Sequence, residues 1–212
     1  MKKIFVLLAL FVLFTLPGTG VFAESNIDDT AMEKRYQHDA DTVRLRHLKH
    51  YAELIREYIS ATGRFPFQGA DPRTHVFIAT TEQRKHAQSV PEGDKILWTE
   101  DFREELAQGL NREVRLWFDP QRALSGPRAI WYYYSAHGKC YVFTVNLFSS
   151  YGITRQMNDH SHLLGFTNCP SPEANGIHDI DTLLTSPEYI EASNREFNIQ
   201  TGWFEQLEEA NR

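Results

Sequence analysis

The chain is short of basic residues and of cysteine. Its 212 residues hold 22 Lys and Arg against 28 Asp and Glu, a net charge of −6, and only two cysteines. A surplus of acid leaves no basic face of the kind that nucleic acid or an anionic membrane demands, so neither is an expected partner. It suits a basic protein partner better. Two cysteines with no CxxC spacing carry no thiol redox motif. Sequence signatures of several enzyme classes are missing too. Ser149-Ser150-Tyr151-Gly152 is not the Gly-x-Ser-x-Gly elbow of a hydrolase nucleophile, and no glycine-rich loop would cradle a phosphate. His178-Asp179-Ile180-Asp181 has neither the spacing nor the glycine of a calcium loop, and reads as a helix start before Leu183 and Leu184. No repeat, low-complexity tract or linker divides the chain.

What is present begins at the N-terminus. Lys2 and Lys3 precede an apolar run from Ile4 to Leu16, which Pro17, Gly18 and Gly20 break; Val21-Phe22-Ala23 then supplies small residues at the −3 and −1 positions. Charge, apolar core and small-residue exit in that order read as a secretory signal peptide over residues 1–23, cleaved before Glu24. The run falls short of the roughly 20 residues that a membrane span needs. Export to the periplasm or beyond, with no membrane anchor after cleavage, is the expected localisation. Cleavage removes two lysines and takes the net charge from −6 to about −8. In an oxidising compartment Cys140 and Cys169 are expected to pair, closing a loop of about 30 residues worth roughly 3 kcal/mol.

The mature chain reads as a polar, flexible arm over 24–40 and a single α+β domain over 41–212. Leu45, Leu48, Ala52, Ile55 and Ile59 recur at spacings of three and four, so Asp41 to Thr62 is expected to be a long amphipathic helix with its charged residues, Arg44 among them, in solvent. Asp41 can cap its start, Gly63 can end it, and Pro66 prevents its resumption. A second helix is expected from Thr99, with Thr99 accepting from its first N–H groups and Phe102, Leu106 and Leu110 as the buried stripe. Strands are expected at Val76–Ala79, Val114–Phe118, Ala129–Tyr134, Cys140–Leu147 and Leu163–Thr167, with a hairpin at His137-Gly138. The helix would pack on an antiparallel sheet of three or four strands, and residues 188–211 would form a C-terminal helix.

The stretch Val43 to Pro66, a helix running into Thr62-Gly63-Arg64-Phe65-Pro66 ahead of a sheet with a late cysteine pair, resembles the globular domains of type II secretion pseudopilins and type IV pilins. The resemblance implies a pilin-like layout and a place in an envelope assembly. It covers about 25 residues plus the order of elements. The N-terminus departs from that family, since Pro17 follows Phe14-Thr15-Leu16 and no acid stands near the start of a retained apolar helix.

Two constellations could carry a site. Asp159, His160 and His162 have the chemistry of zinc ligands, and in an extended segment both histidines face one way. Trp131, Tyr132, Tyr133 and Tyr134 could stack on a sugar or peptide, or bury two rings and show two. The function expected is an exported, non-enzymatic protein-interaction module of the envelope, of the pilin-like accessory or toxin-inhibitor type, with no cofactor. The alternative is a small metal-dependent hydrolase built on His160 and His162.

Overall fold

A computed structural model describes residues 29–85, 90–120, 132–158, 161–170 and 176–196. The expected signal peptide, Trp131, Asp159, His160 and most of the expected C-terminal helix lie outside these. The fold is α+β, with a long N-terminal helix followed by a mixed sheet, the layout that the pilin resemblance implies.

Helix α1 spans Asp29–Thr62. It starts twelve residues before Asp41, so residues 29–40 of the expected arm are helical. The reason lies in packing: Ala40 and Val43 are fully buried in a small cluster with Tyr36 and Phe148, which holds the helix beyond the main core. Downstream, Leu45, Leu48, Tyr51, Ala52, Ile55 and Tyr58 enter the main core, as their spacing predicts. The helix ends where expected, at Gly63, whose N–H reaches Ile59 O at 2.8 Å with φ at +72°. No helix among the described residues is long and apolar enough to cross a membrane.

The strands are β1 (Thr74–Ile78), β2 (Lys95–Trp98), β3 (Tyr132–His137), β4 (Cys140–Leu147), β5 (Arg155–Asn158), β6 (Ser161–Thr167) and β7 (Ile177–His178). They form one sheet in the order β2-β1-β3-β4-β6-β5, with β7 beside β6. The β1–β2 and β6–β7 pairs are parallel and the rest antiparallel, so the sheet is larger and more mixed than the expected three or four antiparallel strands. The β3–β4 hairpin turns at Gly138, with His137 opposite Cys140 and φ of +57° at the glycine. One sheet face carries Val76, Tyr132, Tyr134, Phe143, Val145, Leu164 and Phe166 against α1, with the rings of Tyr51 and Phe143 stacked at 4.7 Å.

Segment 114–118 is not a strand. Val114 and Leu116 are buried as their alternation predicts, but the segment joins no ladder. Helix α2 (Thr81–Arg84) is a single turn. Helix α3 (Thr99–Leu110) buries Phe102 and Leu106. Its Thr99 hydroxyl binds Ala79 N and O, both at 2.9 Å, rather than the helix start, and Asp101 accepts from Trp98 N at 2.8 Å instead. Two short helices follow the sheet, α4 (Ile180–Thr185) and α5 (Pro187–Ser193). Cys140 and Cys169 are joined in a disulfide, Cα to Cα 5.0 Å, which ties the start of β4 to the residues after β6.

Candidate functional site

A buried charge cluster joins α1 to the segment ending at Asp119. Arg44 is completely buried, against the expectation that it is solvated. Its guanidinium grips Asp119 through Nε at 2.7 Å and Nη2 at 3.2 Å, and gives Nη1 to Asp41 at 3.0 Å. Asp41 does not cap the helix. Its carboxylate accepts from Phe148 N at 2.9 Å and Ser149 N at 2.8 Å, tying α1 to the end of β4. The guanidinium also lies 4.8 Å from the centre of the Phe148 ring. Two carboxylates and a guanidinium are therefore buried together. Burial costs Arg44 its hydration, but the Asp119 carboxylate more than offsets this and holds it cationic. Burial raises the Asp41 pKa above the ordinary carboxylate value of 3.8, although Arg44 and the two N–H donors act to lower it.

A raised acid pKa has a definite sign in stability. The contribution is fully present below the unfolded value and is lost as pH rises through the folded one. The stability advantage of the native chain over Asp41→Asn is expected to grow as pH falls from neutral to about 4, because protonation relieves a penalty that asparagine never carries. Urea unfolding of both chains across that range checks this. A difference that shrinks on acidification would mean that Asp41 is held ionised.

The cluster fixes segment 114–119 against α1, and that placement builds a groove. Tyr51 Oη donates to Trp117 O at 2.5 Å. Trp117 then lies flat on His50, with ring centres 3.9 Å apart and planes 10° from parallel. His47 stands 5.0 Å from the same indole and is joined through Nδ1 to Tyr132 Oη at 2.7 Å. Burial lowers the His50 pKa, with the Arg112 charge adding to it, so the ring stacked on Trp117 is neutral at neutral pH. The facing wall is α4–α5. Tyr189 Oη donates to Leu45 O at 2.6 Å, and Arg46 donates to Ser193 O and Arg195 O, both at 3.0 Å. Between the walls lies a cavity of about 590 Å³ lined by Lys49, His50, Glu53, Trp117, Leu184 and Ile190 among others. Ile190 is 44 % exposed on its rim.

The residues singled out in the sequence are placed elsewhere. Tyr132 and Tyr134 are completely buried, because alternate residues of β3 face the core, so neither presents a binding surface. Tyr133, half-buried on the opposite face, is hydrogen-bonded to His75 Nδ1, whose Nε2 meets Asp94 Oδ2 at 2.8 Å. His162 lies on β6 opposite Leu147. Its Nδ1 is buried without a hydrogen-bond partner, and no group of three or more potential metal ligands occurs among the described residues. The groove residues went unnoticed in the sequence because Trp117 and Ile190 meet α1 only through the fold. The one available signal was His47 and His50 on one turn of an amphipathic helix. Compared with known proteins, the chain matches no family model, no curated protein and no solved structure.

Proposed function

We propose that the chain is an exported module of the bacterial envelope that binds a partner protein without catalysis of its own. The pilin-like layout supports placing it among envelope accessory proteins. The observation that carries the reading is the groove between α1 and α5, with a stacked aromatic wall, an apolar rim residue in solvent and both walls fixed by buried hydrogen bonds. Prebuilt concave sites with an aromatic anchor are where polypeptides gain most of their binding energy. Ile190→Asp places a charge on the rim without entering the core. It is expected to reduce cross-linked capture of the partner from envelope extracts by about tenfold or more while leaving the melting temperature within about 2 °C. Equal capture by both chains would remove the groove from the reading.

A metal-dependent hydrolase is the second reading, and the unpartnered His162 Nδ1 favours it. If His162 and His160 hold zinc, the protein purified without added metal carries about one zinc per chain, and replacing both with alanine removes it. A binding module yields well under one zinc per chain before and after.

A further inference from the structure

The sheet face turned away from α1 carries three titratable side chains in a hydrogen-bonded row. His75 of β1 stands between Asp94, just before β2, and Tyr133 of β3. Its Nε2 meets Asp94 Oδ2 at 2.8 Å. A carboxylate can only accept, so the proton of this bond sits on Nε2, and in the neutral ring Nδ1 keeps its lone pair toward the phenol. The Tyr133 O–H donates to it. Nucleophile, base and a group that orients the base therefore stand in line, the order in which a hydrolase serine is activated. Burial raises the Tyr133 pKa, so the unaided phenol is protonated at neutral pH and needs a base. The Ser135 hydroxyl and the Arg73 charge act on the same phenol in the opposite sense. His75 is only 5 % exposed, which shields the base from water. Tyr133 and Ser135 are half-buried, and Arg73 and Ile96, the latter opposite His75 in the β1–β2 pairing, are exposed, so the approach is open. Tyr132 is also bonded to a histidine, His47, but is completely buried and out of a reagent's reach.

We propose that Tyr133 is an acceptor tyrosine, which takes a phosphoryl group from an activated phosphate ester. Its oxygen attacks phosphorus while the phenol proton passes to His75 Nδ1. The P–O bond to the leaving group breaks, and the leaving group departs with the electron pair of that bond. The imidazolium, paired with Asp94, then gives its proton to the leaving group or to water. Phosphorus fits this site better than a carbonyl carbon. Acyl transfer commonly relies on backbone N–H donors beside the nucleophile, and β1 and β3 are interior strands whose N–H groups are engaged in the ladder. The positive charge of Arg73 near the phenol suits the anionic oxygens that develop on phosphorus. One group is taken up per chain without turnover. The site thus adds a modification to a binding module and is independent of the groove.

The test treats the full mature chain with diethyl p-nitrophenyl phosphate, follows release of p-nitrophenolate and locates the label by peptide mass spectrometry. About one equivalent per chain is expected, with the diethylphosphoryl group on Tyr133 and no label in Tyr133→Phe. At about pH 7.5, His75→Gln is expected to label about 10²–10³-fold more slowly, and to recover only above about pH 10, where a phenol ionises by itself. Asp94→Asn, whose amide can turn its N–H to the ring and leave the proton on Nδ1, is expected to lose about tenfold or more. Arg73→Ala is expected to lose about tenfold. A label on another residue of the native chain, no release above that of buffer, or equal rates in the native and His75→Gln chains would overturn the inference. The three side chains would then be a strap between β1, β3 and the start of β2. The position of the label in the native chain decides this even where a variant folds poorly.

Discussion

Replacing Arg44 by methionine is expected to destabilise the protein by about 3–5 kcal/mol, the loss typical when one partner of a buried ion pair is removed. Methionine fills much of the space but takes the guanidinium away from Asp41 and Asp119, both completely buried. The cost is the burial of carboxylates that have lost the Arg44 charge as well as three hydrogen bonds. Denaturant unfolding measures it. A loss below about 1 kcal/mol would show that water reaches the cluster. The damage should also be local in its first steps. Asp41 holds Phe148 N and Ser149 N, so amide exchange at these two residues is expected to rise before that of β3.

Ile55→Asp is expected to be at least as severe, on the order of 5 kcal/mol, because it sets an unpaired charge in the centre of the α1–sheet interface. Ile55 has no exposed surface and belongs to the main core cluster. A melting temperature within a degree or two of the native chain would place this helix face in solvent and overturn the packing described. Ile55→Val removes one methylene and is expected to cost only about 1 kcal/mol, which separates charge from volume.

The contrast between these two positions shows how far the sequence could be read. Ile55 was legible because its neighbours repeat at helical spacing, and periodicity reports a face that must be covered. Arg44 sits on the same helix and was assigned to solvent, because its partner Asp119 is 75 residues away. Burial of a charge depends on a partner that only the fold supplies. The segment from Val114 failed in a different way. Its alternation correctly marks Val114 and Leu116 as inward-facing, but alternation reports burial, and a strand also needs a neighbour to bond. Strand β5, Arg-Gln-Met-Asn, is exposed throughout and offers no apolar alternation at all, so nothing in its composition announces pairing. Helix α1 was placed too short for a similar reason. Residues 29–38 are mostly polar, and the cluster that extends the helix depends on Phe148, which follows β4 far along the chain. The groove inherits all of these limits, since its two walls come from segments some 70 and 140 residues apart along the chain.

The bond from Tyr189 to the carbonyl of Leu45 joins residues 144 positions apart, and Arg44 waits for Asp119 in the same way. A chain emerging N-terminus first completes α1 long before either partner exists. Until then the helix carries a buried-type cation and a wide apolar surface with nothing to cover them. Closure of such distant contacts is entropically slow, and nascent helices left waiting are prone to self-association. The long first helix is thus made early, yet its buried cation and part of its apolar face are covered only when residues 119 and 189 have been added.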